Sequence, residues 1–162
     1  MKTLLILRHA KAKTSDADDF DRSLRKQGKR DARRMGRLLR DENMLPDLIV
    51  SSSAERCRKT VEHVIQDSGY RGETRLSGEL YEANADSLRE FLRKLSDEVN
   101  SVVLVGHNPG LEELLEPLVG AYTPLSTSAL AKIELTIDSW RALSRDTRGH
   151  LASVWQPREL ED

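Results

Sequence analysis

The sequence predicts an α/β protein, a three-layer sandwich with a mostly parallel central sheet and helices on both faces. Three observations carry that expectation. Short apolar runs bounded by polar residues, "TLLILR" and "SVVLVG" above all, have the length and composition of buried strands. Segments of helical periodicity lie between such runs. The two signals alternate along the chain, as they do where crossover helices join parallel strands.

The first strand is expected at 3–8, "TLLILR". Leu24, Gly28, Ala32, Met35 and Leu39 then recur at helical spacing, which predicts an amphipathic helix over 24–43, ended by Asn43 and Pro46. "DLIVS" (47–51) is the second strand, "ERCRKTVEHVIQDSG" (55–69) a helix stopped by Gly69, and "TRLS" (74–77) a short strand. The helix expected at 85–97 places Leu88, Phe91, Leu92 and Leu95 on one face, with Asp86 as its N-cap. "SVVLVG" (101–106) is the clearest buried strand, and Pro109 opens the next helix, where a missing N–H costs little. "ALAKIELTI" (129–137) and "GHLASVWQ" (149–156) alternate in polarity and are expected toward one side of the sheet.

One domain spanning residues 1–162 is expected, since the chain shows no repeat, linker or low-complexity segment. Apolar residues make up 38% and charged residues 33%, a well-solvated globular composition. No apolar stretch approaches the roughly 18 residues of a membrane helix, and "TLLILR" lacks the length and cleavage site of a signal peptide. The single cysteine, Cys57, excludes an internal disulfide and a four-cysteine zinc site. A cytoplasmic protein, possible as a monomer, is the resulting expectation. The net charge of −1 gives no overall sign of a nucleic-acid partner.

In open α/β sheets ligands bind outside the carboxyl ends of the strands. Three such ends carry polar residues here: Arg8-His9, "SSSAER" (51–56) and "GHNPG" (106–110). If the three strands are neighbours, two histidines and two arginines converge, giving cations for a phosphate and a nitrogen nucleophile.

"LRHAKA", "SSSAERCRKT" and "VGHNPG" resemble the three signature segments of the histidine phosphatase superfamily. "DFDRSLRKQGKRDA" (19–32) and "ELYEA" (79–83) are similar to two further stretches of that family. The resemblance runs along nearly the whole chain in the family's order. The short length, without room for a cap subdomain, is most similar to the SixA-type protein phosphohistidine phosphatase branch. One departure is Ala10, which stands where the family usually has glycine.

The resemblance implies a metal-independent phosphatase without cofactor, in which His9 is the nucleophile that carries a covalent phosphoryl group. Arg8, Arg56 and His107 are the implied phosphate clamp. Ser52, at the family's serine position, either positions the loop or touches the phosphate, and Arg22 is a further candidate phosphate contact. The backbone N–H groups near Asn108 and Gly110, at a helix N-terminus, are suited to add anion stabilisation. Glu82 is the implied proton donor to the leaving group. The chemistry suits these residue types, because phosphoryl transfer needs an in-line nucleophile and positive charge around the equatorial oxygens. Neighbouring cations also disfavour protonation of His9. A phosphohistidine substrate asks less of Glu82 than a phosphoester does, because imidazole leaves more easily than an alkoxide. The implied partner is a phosphohistidine protein or a small phosphorylated metabolite.

Other readings remain beside this one. A phosphatase of small phosphoesters fits the same scaffold, a mutase less well in so short a chain. A non-catalytic phosphate- or nucleic-acid-binding module is suggested by the basic run "RSLRKQGKRDARRMGRLLR", although no interleaved aromatic residue is there to stack bases. The ordinary reading of that run is a solvated helix face. His63 and His150 read as structural or surface residues, and Cys57 as a small buried side chain. Cys57 is no nucleophile of the Cys-x5-Arg type, because position 63 is His. The histidines show no close ligand pair for a metal.

Overall fold

The computed structural model describes residues 1–14 and 18–160. Its strands are β1 (Lys2–Arg8), β2 (Leu48–Ser52), β3 (Glu73–Ser77), β4 (Ser101–Gly106), β5 (Leu130–Leu135) and β6 (Gly149–Trp155), joined in one sheet of order β3-β2-β4-β1-β5-β6. The first four positions in that order run parallel, and β5 and β6 close one side antiparallel. The expected α/β sandwich is therefore present with a mixed sheet.

The apolar runs are continuous because both faces of these strands are covered. Leu4 and Ile6 of β1 share one core with Leu48, Val50, Val102 and Leu104, beneath α3 (Ala85–Arg93) and α4 (Gly110–Val119). Leu5 and Leu7 point the other way, into a core with Ile49, Val103 and Val105 beneath α1 (Lys26–Asp41) and α2 (Glu55–Ser68). Each such side chain contributes about 1.5–3 kcal/mol when fully buried, so a polar residue inside these runs would be costly on either face.

Register then sets the site. Arg8 lies level with Gly106 across the β1–β4 pair, and Ser51 lies level with Val105 across β2–β4. The three motif-bearing strands are thus adjacent and end at the same height, which brings their loops together. Among the described residues no inserted subdomain stands over this end of the sheet.

Several boundaries differ from expectation. Helix α1 starts at Lys26 rather than 24, because buried Leu24 forms an isolated bridge with Ala12. Helix α3 stops at Arg93, and its cap is Asn84, whose Oδ1 accepts the Ser87 N–H at 2.9 Å. Asp86 sits inside the first turn and pairs with Arg89 and Arg145 instead. Strand β5 is shorter than the alternation implied, and no helix among the described residues is long and apolar enough to cross a membrane.

Candidate active site

A cleft of about 390 Å³ opens at the carboxyl ends of β1, β2 and β4. Arg8, His9, Arg22, Arg56, Glu82, His107 and Asn108 line it, together with Lys11, Asp19 and Thr127. Every residue singled out from the sequence except Ser52 thus faces one hollow. An adjoining hollow of about 300 Å³ shares Glu82, His107 and Asn108 and extends along the start of α4.

His9 is 8% exposed and its Nδ1 lies 2.8 Å from the Ala10 carbonyl oxygen. A carbonyl only accepts, so Nδ1 carries the proton and Nε2 keeps its lone pair. Burial first, then the charges of His107, Arg56 and Arg8, hold the His9 imidazole down at about 3, against the opposing pull of the Ala10 hydrogen bond. The ring is a neutral nitrogen base throughout the physiological range.

The loop carrying His9 is fixed from two helices. The Ala10 N–H donates to Thr60 Oγ1 of α2 at 2.9 Å, and the Thr60 hydroxyl donates to the Arg56 carbonyl at 2.6 Å. On the α1 side, Gly28 lies so close to Lys11 that a Cβ there would stand 2.3 Å from the Lys11 carbonyl oxygen. Only glycine allows that approach. Ala10 is fully buried and is not among the positive-φ residues, so alanine fits where the family usually has glycine.

Arg56, on the first turn of α2, is 4% exposed and reaches across the cleft. One terminal nitrogen donates to the Asp19 carbonyl at 2.7 Å, and the other meets Asp19 Oδ2 at 3.0 Å and His107 Nδ1 at 3.1 Å. A guanidinium only donates, so neutral His107 accepts at Nδ1 and carries its proton on Nε2. Burial first, then Arg56, holds His107 at about 4. His107 Nε2 lies 2.8 Å from Ser52 Oγ, with Cys57 Sγ at 3.5 Å.

Ser52 therefore stands behind His107 and not in the cleft. Its hydroxyl also accepts the Ala54 N–H at 3.2 Å, so its place is to orient the imidazole rather than to reach a bound phosphate. Cys57 is buried as expected, and that burial pushes its thiol up to about 12, far from thiolate chemistry.

Arg8 lines the cleft with one terminal nitrogen donating to the Leu125 carbonyl at 3.0 Å, while its buried Nε has no partner. Asn108 donates to the same Leu125 carbonyl at 3.0 Å and leaves Oδ1 buried and unpartnered. Arg22 pairs with Asp19 Oδ1 at 3.0 Å. Glu82 is exposed at the rim, on a backbone with φ of 50°. Gly110 holds that rim in place, because a Cβ on it would stand 2.0 Å from the Ala83 carbonyl oxygen.

Asp19 and Tyr81 were not singled out from the sequence. Asp19 meets Arg22, Arg56 and the Tyr81 hydroxyl at once, and these contacts, the Tyr81 hydrogen bond foremost, hold its carboxyl at about 2. Tyr81 packs edge-on against His107, with ring centroids 5.4 Å apart, and against Phe20 at 5.1 Å. The Asp19–Arg22 spacing of three residues was a local signal. The pairing of Asp19 with Arg56 had none.

The chain is similar to known proteins in sequence and in fold. The sequence profile of the histidine phosphatase superfamily (branch 1) matches residues 4–101. A candidate phosphohistidine phosphatase SixA from Agrobacterium tumefaciens is 30% identical, with a TM-score of 0.83 over 96% of this chain and 98% of that one. A second candidate SixA, from Nakamurella multipartitia, is 26% identical, with a TM-score of 0.86 over 96% of each chain. An uncharacterised chloroplastic protein of Arabidopsis thaliana is 31% identical over 150 residues, 86% of this chain and 69% of its own length. With its buried neutral histidine among arginines at the ends of β1, β2 and β4, the chain belongs to the histidine phosphatase superfamily.

Proposed function

We propose that this protein is a phosphatase that removes phosphate from phosphohistidine on a signalling or phosphocarrier protein, through a covalent phosphoryl group on His9. The observation that carries this reading is the His9 ring itself, buried in a cationic cleft with Nδ1 tied to the Ala10 carbonyl and Nε2 left free. Nε2 attacks the phosphorus in line, and the bond from phosphorus to the substrate nitrogen breaks. The substrate imidazole keeps the electron pair and takes a proton, and water then hydrolyses the His9 phosphoramidate to inorganic phosphate. Arg8, Arg56 and Arg22 offset the charge on the transferring group, and hydrogen bonds to such charged groups contribute about 1.5–3 kcal/mol each.

His107 accepts from Arg56 at Nδ1, so its help to a phosphate requires Arg56 to turn or the ring to take a proton. A bound dianion favours the second. The choice of a histidine substrate rests on the leaving group: Glu82 is exposed at an uncapped rim, a modest acid for an alkoxide but sufficient for imidazole. The SixA names of the two solved structures support the same choice. A small phosphoester is the second reading, favoured by the presence of Glu82 on the cleft wall.

Rapid quenching during turnover of a phosphohistidine protein is expected to leave acid-labile, base-stable phosphate on His9. His9→Ala is expected to fold and to lose turnover. A label stable in acid, or an active His9→Ala enzyme, would sink the mechanism. A panel of phosphohistidine protein, phosphohistidine peptide and sugar phosphates separates the two readings.

A further inference from the structure

Helix α1 carries a shallow groove of about 380 Å³ lined by Lys26, Lys29, Arg30, Arg33, Arg37 and Asp67. The cations recur at three- and four-residue steps, so they form one stripe about 16 Å long on the helix surface. Like charges at that spacing repel and destabilise an isolated helix. Neutralisation within the fold is slight. Arg37 pairs with Asp67 at 2.6 Å, whereas Lys26, Lys29 and Arg33 are exposed and have no ion pair among the described residues. Asp31, the acidic residue within the basic run, is buried and engaged by Gln27 and Arg34, so it does not answer the stripe.

The stripe also runs toward the catalytic cleft. The Arg25 N–H donates to the Lys11 carbonyl at 3.0 Å, and Gly28 packs on the same residue. Lys11 and Arg22 in turn line the cleft. The first turn of α1 has no acidic residue and no side-chain cap, which leaves the positive end of the helix unopposed at that junction. The start of the stripe, at Lys26, therefore lies beside the cleft, within reach of the surface adjoining a phosphorylated side chain that enters it.

We propose that the Lys26–Lys29–Arg30–Arg33 stripe docks an acidic protein surface that flanks the phosphohistidine delivered to His9. This rests on the phosphoprotein reading above and names the surface chemistry of that substrate. A protein suits the stripe better than nucleic acid does. No aromatic side chain lines the groove to stack bases.

The test uses the full chain and its Lys29→Glu/Arg33→Glu double variant, two positions outside the cleft. The probes are a phosphohistidine-bearing phosphotransfer domain of net negative charge and free phosphohistidine. The double variant is expected to lose about tenfold in kcat/KM on the domain and nothing on the amino acid. The wild-type rate on the domain is expected to fall as salt rises, with a shallower slope in the variant, because exposed charges are screened beyond ~8 Å at physiological salt.

Binding of the same domain to His9→Ala, with and without the double reversal, reads docking even where turnover is absent. Loss of binding on reversal supports the stripe whatever the catalytic outcome, while failure of wild type to hydrolyse either probe strikes the functional reading alone. Equal binding with and without the reversal, equal kcat/KM on the domain, or preferential capture of duplex DNA over the acidic domain overturns the proposal.

Discussion

Replacing His9 by Gln is expected to flatten the dependence of folding stability on pH between 7.5 and 5. In the unfolded chain this imidazole titrates near its ordinary 6.5, whereas burial and the surrounding cations hold it at about 3 in the native cleft. Between those values the unfolded state binds a proton that the native state refuses, so stability is full above pH 6.5 and falls as pH drops toward 3. At pH 5 the unfolded form has gained about 1.5 units' worth of protonation, or about 2 kcal/mol at 1.36 kcal/mol per unit, and the native form almost none. Gln has nothing to titrate. Urea unfolding at both pH values, fitted with a common m-value, is therefore expected to show a wild-type loss about 2 kcal/mol larger than that of His9→Gln. Parallel losses in the two proteins would show that His9 is not held neutral by its surroundings below pH 6.5, and would refute the reasoning.

Arg56→Lys keeps a positive charge but loses the planar fork, and kcat/KM is expected to fall about 10²–10³-fold with the fold intact by circular dichroism. Asp19→Asn removes the carboxylate that holds Arg56 and Arg22, so inorganic phosphate is expected to bind more tightly, read as a lower inhibition constant. Gly110→Ala forces a Cβ against the Ala83 carbonyl and is expected to cost about 1–3 kcal/mol in urea unfolding while displacing the Glu82 rim. Chelators are expected to leave the rate unchanged and vanadate to inhibit, because the chain's own arginines carry the positive charge.

The parts of the fold that were legible are those where burial leaves one choice. Strands β1, β2 and β4 lie between two helical layers, so their continuous apolar runs have no other stable home, and polar residues become possible only where the runs end. That is why Arg8, His9, Arg56 and His107 stood out together. What escaped depends on contacts between distant segments. The motif leaves Ser52 either positioning the loop or touching a phosphate, and only its contacts with His107 and the Ala54 N–H favour the first. Thr60 tethers the His9 loop from fifty positions away through one hydrogen bond, which leaves no periodicity behind. The cap of α3 was misplaced by two residues because Asn84 and Asp86 are equally good caps, and the pull of Arg89 and Arg145 on Asp86 decides between them.

The charge balance of the cleft turns on Arg56 and Asp19. Arg56 is almost wholly buried, and a buried cation without a counter-ion would cost several kcal/mol. Asp19 answers it from a short 3-10 turn (Asp19–Asp21) with its side chain 44% exposed, so the carboxylate can return to water far more cheaply than the guanidinium can. On the proposed reading, a phosphoryl dianion offers Arg56 two oxygen acceptors with twice the charge of Asp19, so Arg56 keeps a counter-ion through the exchange. Burial first, and then the arginines of the cleft, keep His9 and His107 unprotonated. Asp19 thus balances part of the positive charge of the cleft and not all of it, since Arg8, Lys11, Arg22 and Arg56 face only Asp19 and Glu82 there, and the surplus is what the proposed phosphoryl substrate would meet.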